Sequence, residues 1–366
     1  MTAMLISAAV LRAADALYTI EQAKLGDPGP GEVLVKIAGV GLCHTDVLGR
    51  TELVGKPVIL GHEGSGTIES VGPGVTGLAP GDPVVLSFDS CGACVNCLAA
   101  HPAYCAEFFP RNLTGLAADG STPATGADGK PVAARWFGQS SLATHSIAAV
   151  RGVVRVEPGL PLELLGPLGC GIQTGAGSVL VALGVTPGSS IAVFGAGGVG
   201  LAAVMAAAVA GAATIIAVEL HPSRLNLAAE LGATHTINGA DDDIAAQILA
   251  ITGGGAQYAF DTTGVPAVVT AAINSLRPTG TCGLVGIGQG DLVLDPMALA
   301  GGRNLMGILE GDAIPQLFIP RLIQLWKQGR FPFDKLITTY PLSQINQAEA
   351  TAASGTAVKP VLIPGQ

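Results

Sequence analysis

The sequence predicts an α/β protein of two domains, one β-rich and one built on a doubly wound parallel sheet. Its 366 residues exceed what a single ordinary hydrophobic core supports. Between residues 30 and 90, short β-branched runs are cut by Gly and Pro, the pattern of strands and turns. From about residue 172, apolar runs alternate with Ala/Leu-rich stretches of helical length, which places parallel strands between two helical layers.

In chain order, GEVLVKIAGVGLC, EGSGTIESVG and GDPVVLSF are the strands of the first part. A cysteine-dense lobe follows at 91–105, and the polar, Gly/Thr-rich stretch 112–131 is expected to be an exposed loop. SSIAVFG, ATIIAVE, YAFDTTG and TCGLVGI are strands of the parallel sheet. VGLAAVMAAAVAG and HPSRLNLAAELG are the helices between the first three of them. IPQLFIPRLIQLWKQGR and LSQINQAEATAASG are expected helices that rejoin the first domain. No internal repeat at solenoid spacing is present, and aromatic residues cluster only at Phe108–Phe109, Trp136–Phe137 and Phe331/Phe333.

Composition excludes several function classes. Hydrophobic residues make up 49% and charged residues 12%, and Ala together with 52 Gly inflates the mean hydropathy to +0.53. A net charge of -9 without a basic run argues against a nucleic-acid surface. The segment MTAMLISAAVLRAADAL has no cation ahead of its apolar stretch and lacks the layout of a signal peptide. Val199 to Val218 is uncharged and long enough to span a bilayer, but it begins in a glycine-rich turn and contains Gly211. A buried helix followed by a strand is the expectation there, with no membrane involved. The cysteines number seven, an odd count; in a chain of cytoplasmic character they point to metal ligation rather than disulfides.

The run Gly195-Ala196-Gly197-Gly198-Val199-Gly200 directly follows the strand IAVF and opens a helix. Such a turn needs Gly195 to bend tightly, Gly197 to let backbone approach a pyrophosphate, and Gly200 to pack helix on strand. The helix N-terminus then offers free N–H groups and a positive dipole to the phosphates. Glu219 lies about twenty residues past Gly200 at the end of the next strand, where a carboxylate grips the adenosine ribose. Its charge favours NAD over NADP; Arg224, five residues on, keeps NADP open.

Cys91, Cys94, Cys97 and Cys105 form a Cys-x2-Cys-x2-Cys-x7-Cys pattern that can surround one zinc ion tetrahedrally. An iron–sulfur cluster and a nucleic-acid-binding zinc ribbon use similar spacings. The first has no role beside a two-electron hydride carrier, and the acidic charge speaks against the second. Cys43, His44, Asp46, His62, Glu63 and Cys170 remain, with Cys43 and His62 in the turn sequences GLCHTD and GHEG.

These features resemble the zinc-containing medium-chain alcohol dehydrogenases nearly end to end. Gly61-His62-Glu63-Gly64-Ser65-Gly66, followed by Gly72 and Val75, fits that family's zinc signature. Gly307-Ile-Leu-Glu-Gly-Asp-Ala-Ile-Pro-Gln with Phe318-Ile-Pro-Arg is similar to the benzyl-alcohol (aryl-alcohol) branch. The resemblance implies a GroES-like catalytic domain at 1–171 and 310–366 and a Rossmann NAD-binding domain at 172–309. It implies two zinc ions per subunit: a structural one on the four lobe cysteines and a catalytic one on Cys43, His62 and Cys170. Asp46 matches the acid that orients the His62 ring, and Glu63 an acid that transiently approaches the metal. Thr45 matches the hydroxyl that accepts the substrate proton. His44 and Lys359 match residues that contact the cofactor pyrophosphate, and Thr174 one that packs the nicotinamide.

The activity so implied is reversible oxidation of primary, aromatic or allylic alcohols to aldehydes by a homodimer or homotetramer. Relatives with a complete proton relay carry a histidine where Leu48 stands, so water or His44 is expected to serve as the exit. Two other readings keep the fold: a glutathione-dependent formaldehyde-type dehydrogenase, and a cofactor-binding or structural relative without catalysis.

Overall fold

The computed structural model describes residues 4–51, 54–117, 119–288 and 290–365. It divides into two units, Met1–Cys170 with Ile314–Arg321 and Asp334–Gln366, and Gly171–Ala313 with Leu322–Phe333.

The first unit is β-rich. One sheet runs in the order Val58–Ile59, Met4–Leu11, Thr19–Leu25, Ala124–Gly126 and Pro131–Val132. A second sheet is centred on Glu32–Gly41, most of whose residues are buried, with His145–Ala149, Gly64–Val71 and Lys359–Ile363 hydrogen-bonded to it. Its register decides what meets at one end. Val40 pairs with Gly64, and the Gly41 N–H donates to the Glu63 carbonyl at 3.0 Å. Val361 pairs with Gly41, and the Leu42 N–H donates to the Pro360 carbonyl at 2.9 Å. Cys43, His62–Glu63 and Lys359 therefore leave three adjacent strands side by side. Strand Pro83–Leu86 pairs with Gly64–Val71, and Ser87 just beyond it donates to the Gly169 carbonyl at 2.5 Å, which brings Cys170 to the same end.

The second unit carries a six-stranded sheet in the order His235–Asn238, Thr214–Glu219, Ser190–Phe194, Ala256–Asp261, Leu276–Leu284 and Asn304–Gly307. All its pairings are parallel. The two central strands, Ser190–Phe194 and Ala256–Asp261, flank the point where the strand order reverses, the switch point at which such sheets bind dinucleotides. The uncharged Val199 to Val218 stretch is helix Gly198–Ala210 followed by strand Thr214–Glu219. Gly211, at φ 78°, ends the helix in the left-handed conformation. From Gly200 to Ala207 every residue of that helix is buried, which explains why it shows no polar face in sequence. Among the described residues no single helix is long and apolar enough to cross a membrane.

Three expectations need correction. The stretch 112–131 is not wholly loop: Ala124–Gly126 pairs with Thr19–Leu25 and turns back into Pro131–Val132, while Ala118 lies outside the described residues. Its short strands are hidden in sequence by Gly, Thr and Pro. The closing residues are not only helical, since Ile337–Pro341 and Lys359–Ile363 form a parallel pair. The division at 310 also shifts, because 310–313 and Leu322–Phe333 belong with the parallel-sheet unit. There Phe331 and Phe333 are fully buried, and Trp326 packs on Phe333 at 5.2 Å between ring centroids.

Within the second unit, helix Gly171–Gly177 lies against the glycine-rich turn. A methyl group at Gly175 would sit 2.0 Å from the Val199 carbonyl oxygen, which is backbone and cannot swing aside. Gly175→Ala is expected to destabilise this unit by about 1–3 kcal/mol, the range for overpacking. A thermal melt should show a midpoint lowered by a few degrees.

Candidate active site

One donor atom each from Cys43, His62, Glu63 and Cys170 lie within 4.8 Å of one another. Local sequence sets each of them. Cys43 caps the short 3-10 helix His44–Arg50, and Asp46 in its first turn accepts from the Cys43 N–H at 3.3 Å. Gly61 takes φ 86° ahead of His62, and a methyl there would meet the Leu142 side chain and backbone. Only glycine makes that bend at low cost. Cys170 ends the 3-10 turn Gly166–Gly169.

His62 is fully buried, and its Nδ1 lies 2.7 Å from Asp46 Oδ1. A carboxylate at Nδ1 holds the proton there and leaves Nε2 with its lone pair. Nε2 is buried and makes no hydrogen bond. Leaving a buried polar atom unmet costs about 1–3 kcal/mol, and a metal ion between this nitrogen and the two cysteine sulfurs removes that cost. Two thiols and one imidazole also form a donor set that zinc prefers. Glu63 stands within this set but is also paired: Lys359 Nζ lies 2.9 and 3.0 Å from its two oxygens and donates to the Leu42 carbonyl at 3.1 Å. The structure thus places Lys359, expected at a pyrophosphate, on Glu63.

The electrostatics reflect this crowding. A hydrogen bond from Cys170 draws the Cys43 thiol well below its usual pKa against the effect of burial, and the charge of His62 adds to it. With no cation between the groups, burial opposes a charged His62, but Asp46 and the Cys43 thiolate outweigh it and raise the imidazole well above its usual value; a metal taking Nε2 displaces that proton. Burial pushes Glu63 up to about 7 although Lys359 pulls the other way.

Sequence reasoning did not single out the segment behind His62. Phe137 stacks on the imidazole with ring centroids 4.3 Å apart, and Trp136 Nε1 donates to Asp46 Oδ1 at 2.9 Å. Gln139 donates to the His62 carbonyl at 2.9 Å and accepts from the Gly64 N–H at 3.1 Å. Phe137 is held at φ 53°, which costs a non-glycine residue about 1–3 kcal/mol. The aromatic pair was visible in sequence, but nothing local tied it to His62. Of the other expected residues, the Thr45 hydroxyl lies 3.7 Å from Cys43 Sγ, His44 is exposed and Leu48 half-buried.

The lobe sulfurs of Cys91, Cys94, Cys97 and Cys105 also lie within 4.8 Å of one another. Cys91 and Cys97 Sγ are 4.0 Å apart, close to the ~3.8 Å edge of a zinc–thiolate tetrahedron. Backbone N–H groups of Ala93, Cys94, Ala106 and Glu107 point at the sulfurs at 3.3–3.4 Å. Such bonds favour thiolates; those from Ala106 and Cys97 lower the Cys94 pKa to about 6, while burial raises Cys97 to about 12.

In the second unit, Gly195 has φ 91°, and a methyl at Gly200 would lie 1.8 Å from the Gly195 carbonyl oxygen. A methyl at Gly197 would meet no atom within 4 Å, which leaves room for a phosphate over the N-terminus of the helix that Gly198 and Val199 open. Glu219 accepts from the N–H groups of Ala196, Leu220 and His221 at 2.7, 2.8 and 3.1 Å, with Arg224 Nη1 3.9 Å away. Beside it lies a mainly apolar cavity of about 480 Å³ lined by Phe194, Val218, Ile244, Val265 and Val268. Thr174 is buried in the same unit, its hydroxyl 3.4 Å from Glu310.

Comparison with known proteins gives the class these features define. Residues 29–141 match the alcohol dehydrogenase GroES-like domain, and residues 198–327 the zinc-binding dehydrogenase family. The chain is 48% identical over 362 residues to the geraniol dehydrogenase of Castellaniella defragrans, covering 97% of both. It is 50% identical to the crystal structure of an alcohol dehydrogenase zinc-binding domain protein from Burkholderia ambifaria, with TM-score 0.97 and 99% of each chain covered. It is 43% identical to that of benzyl alcohol dehydrogenase from Acinetobacter calcoaceticus, with TM-score 0.95 over 99% of this chain and 100% of that one. The chain therefore belongs to the zinc-containing medium-chain alcohol dehydrogenases. It is an enzyme with a GroES-like domain and a Rossmann domain, of a family that uses zinc and NAD(P).

Lys359 and Glu63 form a buried ion pair, so removing one partner strands the other charge. Lys359→Ala is expected to cost about 3–5 kcal/mol in urea unfolding. Lys359→Met combined with Glu63→Gln should recover most of that loss.

Proposed function

We propose that this enzyme oxidises primary allylic or aromatic alcohols with NAD, using a catalytic zinc on Cys43, His62 and Cys170 and a structural zinc on the four lobe cysteines. The observation that carries this reading is the buried, unpartnered His62 Nε2 among two cysteine sulfurs, with Glu63 beside them paired to Lys359.

When bound, zinc supplies a Lewis acid that makes an alcohol proton easier to lose, and NAD supplies the hydride acceptor. The protein's part is to hold, orient and deprotonate. Asp46 keeps the Nδ1 proton in place, so that His62 offers Nε2 as a donor. Thr45, with its hydroxyl beside Cys43, takes up the alcohol proton. Lys359 pairs with Glu63 and offsets its negative charge beside the donor set. Leu48 interrupts the relay beyond Thr45, so the proton leaves through water or the exposed His44.

NAD is preferred to NADP because the Glu219 carboxylate is fixed by three N–H groups where a 2′-phosphate would add like charge. The apolar cavity beside it suits an adenine ring. For the substrate, support comes from relatives: one named for geraniol and one for benzyl alcohol.

Metal analysis of the purified protein should find two zinc ions per chain. Benzyl, cinnamyl and geraniol-type alcohols should reduce NAD faster than short aliphatic alcohols do, and NADP should serve poorly. Cys43→Ser should lose one zinc and turnover while still binding NADH. Absence of NAD-linked oxidation of every alcohol tried would end this reading. Leu48→His should add an ionisation near the ordinary histidine pKa of about 6.5 to the kcat/KM profile; an unchanged profile would mean that the proton leaves by a path not passing Leu48.

A further inference from the structure

We propose that Trp136 and Phe137 are positioning residues for His62: the indole N–H fixes the carboxylate that orients the imidazole, and the phenyl ring sets its plane. The inference rests on His62 being a ligand of the catalytic zinc.

Asp46 Oδ1 receives three donors, His62 Nδ1 at 2.7 Å, Trp136 Nε1 at 2.9 Å and the Gly61 N–H at 3.3 Å. A carboxylate holding a ring through one oxygen can still pivot unless another contact pins it. The Gly61 bond is long, and Trp136 and His62 are both fully buried, so no solvent can substitute for the indole. The imidazole also needs its tilt set. Phe137 supplies this, stacked at 22° between ring planes.

The backbone is bent to deliver both rings. Phe137, Gly138 and Ser140 all have left-handed φ angles of 53°, 64° and 57°. Ser140 closes the turn by accepting from the Trp136 N–H at 2.8 Å and donating to the Ile59 carbonyl at 2.7 Å. Gln139 grips the His62 carbonyl from the same turn. A turn that only filled the core would not need a left-handed aromatic residue. This one meets His62 at its ring face, its orienting acid and its backbone.

Trp136→Phe removes the N–H and keeps an aromatic ring; Phe137→Leu keeps bulk and removes the stack. Zinc release to a chelator should separate the two metals, and cobalt(II) substitution reports ligand geometry by its absorption bands. In each variant one of the two zincs is expected to leave about 10–100-fold faster than in the wild type, the range for outer contacts to metal ligands. The other zinc should leave at the wild-type rate, and the cobalt bands should shift. Wild-type release and unchanged bands in both variants would overturn the inference, as would equal loosening of both zincs, which marks general unfolding. If one variant fails to fold, the other decides. A wild type holding only the lobe zinc would instead overturn the catalytic-metal reading beneath it.

Discussion

The Asp46 carboxylate is the contact on which the first unit's chemistry depends. Its two oxygens take hydrogen bonds from the Cys43 N–H, the Gly61 N–H, His62 Nδ1 and the Trp136 indole. A carboxylate this deeply buried is tolerable only where its lone pairs are met. Meeting them fastens the end of one strand, the turn before another and a distant aromatic segment to one point. The spacing of Cys43 and His62 follows from satisfying that single acid.

The two sulfur clusters reach similar geometry by opposite means. The lobe is assembled locally, from cysteines close in sequence and from N–H groups of its own turns. Three of its sulfur-bearing residues are half-buried and pack against the first unit's core, to which Cys105 belongs. The Cys43–His62–Cys170 cluster is assembled by sheet register, from stretches that touch only after the strands have paired. His62 and Cys170 are buried and Cys43 half-buried, so their protonation states depend largely on one another.

That contrast also decides what was legible in the sequence. The glycine-rich turn, Glu219 and the lobe cysteines are local patterns that spacing alone makes visible, and the alternation of strand and helix from residue 172 onwards reports the parallel sheet. Cys43, His62 and Cys170 could be grouped only through family resemblance, since their proximity is set by pairing at long range. Trp136, Phe137 and Gln139 stayed silent because a buried aromatic residue reads as core whatever it touches. Lys359 was visible as a cation, but its partner Glu63 comes from the other side of the central strand, and no periodicity records that. The strands Met4–Leu11 and Thr19–Leu25 went unnamed because their Ala, Ser, Gln and Lys content is poor in β-branched residues.

The discontinuity of the first unit has a bearing on how the protein matures. Cys43, His62 and Cys170 emerge early from the ribosome, whereas the strand Lys359–Ile363 emerges only after the whole parallel-sheet unit has been made. Until that strand docks beside Gly41, Glu63 is without the ammonium that pairs with it in the folded protein. Synthesis thus delivers Lys359 after the residues it pairs with, and a chain cut short before it would lack the partner of Glu63.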